Sequence, residues 1–173
     1  MSPAELHDQK VRRICVQLKQ HANGKPVSLR KKAVAHQVPK ARDLRRYDDK
    51  IDISDLDAIL EIDPVRKVCV AEPGLTFVDL VAATLPLGLV PIVVPELKTI
   101  TIGGAVSGCS IESASFKHGG FHDTCVEYEV VTANARRRHP RNSSRIEATH
   151  PAPQRQTPPR FSDLVTTLLD GGS

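Results

Sequence analysis

Between Thr99 and Gly120 the sequence reads TITIGGAVSGCSIESASFKHGG, and five of the chain's ten glycines fall inside it: Gly103, Gly104, Gly108, Gly119 and Gly120. Thr101, Ser107, Ser110, Ser113 and Ser115 are interleaved with them. Glycine lets a backbone N–H approach a ligand that any Cβ would hold away. Successive amides of this kind form an anion-binding concavity suited to a pyrophosphate. A surface loop whose glycines only serve turns is the competing reading, but turns need one or two glycines rather than five. The order of residues narrows the chemistry. GGAVSGCS is not G-x-G-x-x-G, because the second glycine follows the first directly, so the dinucleotide Rossmann fingerprint does not fit. It resembles half of G-x-x-x-x-G-K-[ST], yet Cys109 stands where a lysine would reach the terminal phosphates, which disfavours nucleotide hydrolysis.

Other chemistry-bearing residues are sparser. His118 and His122 have the i, i+4 spacing of a helical metal pair, but Gly119 and Gly120 between them oppose a helix, and no metal site is expected. The four cysteines, Cys15, Cys69, Cys109 and Cys125, show no CxxC spacing and read as reduced residues. Aromatics are 3% of the chain and Trp is absent, which argues against a base-stacking platform for nucleic acid. The net charge of +4 does not come from the body: the residues beyond Asn134 carry seven Arg and three acidic residues. No apolar run is long enough to span a membrane and the first residues lack a signal pattern, so a cytoplasmic protein is expected.

The elements that must position the glycine segment can be read on either side of it. Val11, Ile14, Cys15 and Leu18 mark one face of an amphipathic helix, which Asn23-Gly24 should end. Val27 and Leu29 begin a short strand, and Ile51 and Ile53 mark another. LDAILEID and KVCVAEP, joined at Asp63-Pro64, predict a hairpin with Val68 and Val70 on one face. Thr76 should cap a helix with Asp79 as capping-box partner, burying Phe77, Leu80, Val81 and Thr84. LVPIVVP predicts a strand. CVEYEVVT alternates Val126, Tyr128 and Val130 against Glu127 and Glu129, a half-buried strand.

Beyond Asn134 the chain turns Arg- and Pro-rich and holds few apolar residues. Such a segment cannot offset its ordering entropy by burial, so residues 135–173 are expected to be disordered. FSDLVTTLLD within it would form at most a helical turn or two, with no evident partner. Arginines of this tail contacting phosphates would make a nucleic-acid binder, but a solvated tail is the preferred reading.

Beside this reading stands a resemblance. VPELKTITIGGAVSGCSIESASFKHGGFHDTCVEYEVVTA resembles the flavin-binding core of the sterol side-chain reductase (Diminuto/Dwarf, seladin) family, within the vanillyl-alcohol-oxidase and p-cresol-methylhydroxylase (PCMH) type of FAD proteins. VSLRKK, IDISDLDAILEID and VAEPGLTFVDLVAATLPLGLVPIVVPEL fit the same family in the same order, so the resemblance covers about residues 7–134. It implies an α+β, PCMH-type FAD-binding domain of two packed α/β subdomains over residues 1–134, truncated at its C-terminal end. The family's flavin-contacting run falls on Thr101, Ile102, Gly103, Gly104, Ala105, Val106, Ser107, Gly108, Cys109, Ser110, Ile111, Glu112 and Ser113. By the same resemblance Val130 and Val131 flank the adenine. Glu112 would take a ribose or ribitol hydroxyl or else pair with Lys117. The implied chemistry is hydride transfer through the flavin, to or from a small, sterol-like substrate.

Three departures qualify what the resemblance implies. The early loop NGKPVSLRKK has no run of glycines. Lys31 and Lys32 could supply charge there, although a solvated strand end is preferred. No histidine follows glycines in that loop, so FAD should be held non-covalently. Finally, the resemblance stops at Asn134, with no substrate domain after it. This implies a module that binds FAD better than it turns over, or a truncated product without activity. An out-of-frame tail would explain the break. Translating the coding DNA in the other two frames after Ala133 should then restore a family-like continuation, and failure in both frames would remove that explanation.

Overall fold

The computed structural model describes residues 1–21, 26–33, 47–132 and 135–138, together with the backbone of residues 163–171. Helix α1 (Pro3–Gln20) begins where local chemistry says it should. Ser2 accepts the Glu5 amide at 3.2 Å, the Glu5 carboxylate takes the Ser2 amide at 2.6 Å, and Pro3 sits in the first turn. Its buried face carries His7, Val11, Ile14 and Leu18, with Cys15 half-buried. The predicted Asn23-Gly24 stop lies outside the described residues. Strands β1 (Val27–Arg30) and β2 (Asp49–Asp52) pair in parallel, and Val11, Ile14, Leu18, Ile51, Ile53, Leu56 and Val131 close one hydrophobic centre.

The second piece is a larger sheet. β3 (Ile59–Asp63) and β4 (Val68–Ala71) form the expected hairpin. The Asp63 carboxylate accepts the amides of Val65 and Arg66 at 2.9 Å each, which shapes the turn. Helix α2 (Phe77–Thr84) is capped by Thr76, whose Oγ1 accepts the Asp79 amide at 3.3 Å. Asp79 takes the Thr76 hydroxyl rather than its backbone amide. A 3₁₀ turn, Leu85–Leu87, ends at Gly88 with φ +69° and leads into β5 (Leu89–Pro91). The rest of LVPIVVP leaves the strand. Helices α3 (Ile102–Ser107) and α4 (Ser115–His118) and a 3₁₀ turn, Phe121–Thr124, precede β6 (Cys125–Val131) and β7 (Arg137–Arg138). Phe77 and Phe121 meet edge to face at 4.9 Å in the centre of this piece, packed with Leu80, Leu89, Val93, Ile102 and Ala105. Two α/β pieces with two hydrophobic centres are therefore present.

Two expectations fail here. The described part of FSDLVTTLLD is not helical: Asp163–Gly171 is a strand, β8, and it is central, giving the order β3-β4-β8-β6-β7 with β5 also paired to β8. β-Branched Val165, Thr166 and Thr167 suit a strand, and both neighbours, β4 and β6, offer an antiparallel ladder. Two strands of the sheet thus come from beyond Asn134. The alternation predicted for β6 also breaks. Val126 is 39% exposed while Glu129 is buried. A bulge between Cys125 and Glu127 shifts the register, and Glu129 has charged partners that permit its burial.

Because β4 and β6 share β8, a chain ending at residue 162 should leave both with an unpaired edge. It should lose cooperative urea unfolding and aggregate, as read by circular dichroism and size exclusion. An unchanged unfolding midpoint would contradict the pairing.

Candidate functional site

The glycine-rich segment is held by a turn that follows β4. Residues 72–78 and 98–103 run antiparallel. The Ile102 amide donates to the Leu75 carbonyl and the Gly103 amide to the Pro73 carbonyl, each at 2.9 Å, while Phe77 and Val78 donate to Ile100 and Lys98 at 3.0 Å. Thr101 then caps α3, its Oγ1 accepting the Gly104 amide at 3.2 Å. The Ala105 amide bonds to the Thr101 carbonyl and the Gly108 amide to the Gly104 carbonyl.

This corrects the expected role of the glycines. The amides of Ile102, Gly103, Gly104, Ala105 and Gly108 do not form a bare anion cradle, because protein oxygens already occupy them. Gly103 is required for a different closeness: a Cβ there would lie 2.7 Å from the Pro73 Cβ and 3.1 Å from its carbonyl oxygen. The glycine lets α3 sit directly on the 73–75 turn. Gly74 is tighter still, since its added Cβ would stand 2.3 Å from the Leu56 carbonyl oxygen.

From the last turn of α3 onward the run becomes more exposed. Ser107, Gly108, Cys109, Ile111 and Ser113 are exposed, and Val106, Ser110 and Glu112 are half-buried. Cys109 adopts φ +50°. The Ser110 carbonyl accepts the Phe121 amide at 2.9 Å, and Glu112 and Ser115 exchange amide bonds through the Glu112 carbonyl and the Ser115 hydroxyl. Ile111 and Phe116 are 74% and 92% exposed. The stretch therefore presents small hydroxyl donors beside apolar side chains. No Glu112–Lys117 pair forms among the described residues. Val130 and Val131 are both buried in β6, and Val131 packs with the α1 centre. His118 ends α4 and His122 lies in the next 3₁₀ turn, with Gly119 at φ +78° between them. Lys32 is engaged by Asp57 at 2.7 Å, so it is a paired strand-end cation.

Sequence reasoning missed the buried charges next to this segment. Glu72 has no exposed surface. Its carboxylate meets Lys10 Nζ at 2.9 Å, the Ala58 amide at 2.9 Å and His7 Nδ1 at 3.0 Å. His7 Nε2 faces Glu129 at 3.8 Å, Arg137 Nε meets Glu129 at 2.5 Å, and Arg137 also reaches Asp8 at 2.7 Å. Burial alone would hold His7 neutral, but Glu129 and Glu72 outweigh it and raise the ring from 6.5 to about 9. Burial likewise opposes ionisation of Glu72 and Glu129, yet their cationic partners hold both carboxyls below the ordinary 4.5. A His on an otherwise apolar helix face, four residues before Val11, was the available signal. Burial pushes the Cys69 thiol up to about 12, which leaves it inert.

Comparison with known proteins places this geometry. The FAD binding domain family matches residues 35–139. The chain belongs to that family. It is 32% identical over 131 residues to a Delta(24)-sterol reductase of Pisum sativum, covering 74% of this chain and 23% of that one. It is 40% identical over 85 residues to the Delta(24)-sterol reductase homolog dhcr-24 of Caenorhabditis elegans, covering 49% and 16%. The fold matches 6-hydroxy-D-nicotine oxidase of Arthrobacter nicotinovorans with a TM-score of 0.64 at 15% identity, over 90% of this chain and 34% of that one. The domain thus has the PCMH-type flavoenzyme fold and spans about a quarter of its pea relative. Tested against FAD, the amides of 102–105 and 108 already meet protein oxygens and do not fit a phosphate cradle, and the exposed residues of the run are Ser107, Gly108, Cys109, Ile111 and Ser113. No described helix is long and apolar enough to cross a membrane.

Two outcomes follow. Gly103→Ala should destabilise the FAD-binding domain by about 1–3 kcal/mol through overpacking against Pro73, measured by urea unfolding; a neutral result would contradict the close approach. The His7 contribution should be fully present below pH 6.5 and fade as pH rises through about 9, while the contributions of Glu72 and Glu129 should fade as pH falls below 4.5. Unfolding free energies across that range should form a dome, and His7→Gln should flatten its alkaline side.

Proposed function

We propose that residues 1–138 together with strand β8 (Asp163–Gly171) form a module that binds FAD non-covalently, with the exposed part of the 101–113 segment as its main contact. The observation that carries this reading is the division of the run at Ala105. Ile102 and Gly103 bond to the 73–75 turn and Ala105 is buried, whereas Ser107, Gly108, Cys109, Ile111 and Ser113 are exposed, with two hydroxyls among them. Ser107, Ser110 and Ser113 would donate to phosphate or ribitol oxygens, and Glu112 would accept a ribose or ribitol hydroxyl. Gly103 and Gly104 act indirectly, by seating α3. Val130 and Val131 would support the adenine side from behind rather than touch it through bare surface, since both are covered.

Bound flavin supplies hydride chemistry, and the protein's part is to bind and orient it and to exclude water. Resemblance to the sterol reductases favours a full-length oxidoreductase acting on a C=C or C–O group of a small, sterol-like molecule. A second reading is a non-catalytic module with weak flavin affinity; the chain spans 23% of its pea relative.

Purified protein should show the visible absorption of a flavin or should quench added FAD fluorescence. Acid precipitation should release the flavin into the supernatant. Flavin that stays with the pellet would contradict non-covalent attachment. A colourless protein that also ignores added FAD would defeat the first reading and leave the fragment. Ser113→Asp, which sets a negative charge against the diphosphate, should weaken binding at least tenfold.

A further inference from the structure

The buried charges and the glycine segment meet at one short turn. Glu72, Pro73, Gly74 and Leu75 are clamped from both sides. On one side the Glu72 amide donates to the Ala58 carbonyl at 2.8 Å and the Gly74 amide to the Leu56 carbonyl at 2.6 Å. On the other, the carbonyls of Pro73 and Leu75 hold the amides of Gly103 and Ile102. The Leu75 amide folds back on the Glu72 carbonyl at 3.1 Å. The one side chain of the turn that reaches charged partners is Glu72, through two α1 cations and the Ala58 amide.

We propose that Glu72 is a positioning residue for the cofactor-binding segment: anchored by His7 and Lys10, it fixes the 72–75 turn on which α3 is seated. The path is three residues long. Helix α1 sets the carboxylate, the carboxylate sets the direction in which the Pro73 and Leu75 carbonyls point, and those carbonyls set the first turn of α3. There is little lateral slack, because the Gly74 amide donates to the Leu56 carbonyl at 2.6 Å and even a Cβ on Gly74 would stand 2.3 Å from that oxygen. The groups facing Glu72 are His7 and Lys10 from α1 and the Ala58 amide. Behind His7 stand Glu129 of β6, Arg137 of β7 and, on α1 itself, Asp8. Removing the charge of Glu72 leaves Lys10 and protonated His7 without their shared anion, so the turn is released toward α3. The effect on cofactor affinity rests on the flavin reading above; the effect on α3 does not.

The test compares Glu72→Gln with Val11→Ala in the full chain. Val11 lies in the α1 centre, makes none of the hydrogen bonds or ion pairs that reach Glu72, and reports the effect of a general loss of stability. Hydrogen exchange is read at the Ile102 and Gly103 amides, corrected for each variant's global stability, alongside FAD affinity. Glu72→Gln should speed exchange at these two amides at least tenfold beyond Val11→Ala and weaken FAD at least tenfold. Lys10→Met, which leaves the carboxylate in place, should shift both in the same direction by less, and it answers the question if Glu72→Gln does not fold. Exchange that rises only as far as global stability predicts would overturn the proposal. So would faster exchange with unchanged FAD affinity, which would confine Glu72 to the fold. Wild-type protein that binds no FAD would defeat the flavin reading, while the exchange comparison would still decide whether Glu72 holds the segment.

Discussion

A carboxylate taken out of water must be met by charge and hydrogen bonds or give up its ionisation, and Glu72 is wholly out of water. The structure answers it with His7 and Lys10, and answers Glu129 with His7 and Arg137. One imidazolium therefore stands between two buried anions. These contacts join α1 to the end of β4 and to β6 and β7, so the smaller α/β piece is fastened to the larger sheet by electrostatics as well as by Val131. Such pairs are weak evidence for net stability, since desolvation offsets much of their attraction. Their effect is directional: only one placement of α1 supplies both cations at the required distances.

That placement explains why a glycine pair can stand in the first turn of a helix. Glycine costs roughly 1 kcal/mol relative to alanine in a helix interior, and α3 is only six residues long. Its stability is tertiary. Bonds from its first two amides to Pro73 and Leu75 and the Thr101 cap satisfy the donors a helix start leaves open. The buried side chains of Ile102 and Ala105 lock the other side.

Much of the frame was legible because local rules dominated there. The stripe Val11, Ile14, Leu18, the Asp63 turn and the Thr76 cap are determined by residues within a few positions of each other. The candidate site was legible in position and illegible in conformation. Five glycines pointed to a loop, whereas the distant Pro73 carbonyl and the Thr101 hydroxyl recruit Gly103 and Gly104 into a helix. Burial of Glu72 and Glu129 depends on His7, 65 positions before Glu72, which no window of the sequence joins. Strand β8 escaped for the same reason: its β-branched run is short, and both of its main partners lie behind a long Arg- and Pro-rich stretch.

The double duty of His7 has a consequence for the first twenty residues. They look like a dispensable surface helix, since half of α1 is polar and faces solvent. Yet cutting them away would strip both Glu72 and Glu129 of their shared imidazolium and Glu72 of its ammonium. Glu129 would keep Arg137, but Glu72 would keep only the Ala58 amide and, where still covered, would favour uptake of a proton over lying ionised. At Glu72 the sign of the acid response would then reverse, so that protonation favours the folded chain where it weakens the intact one.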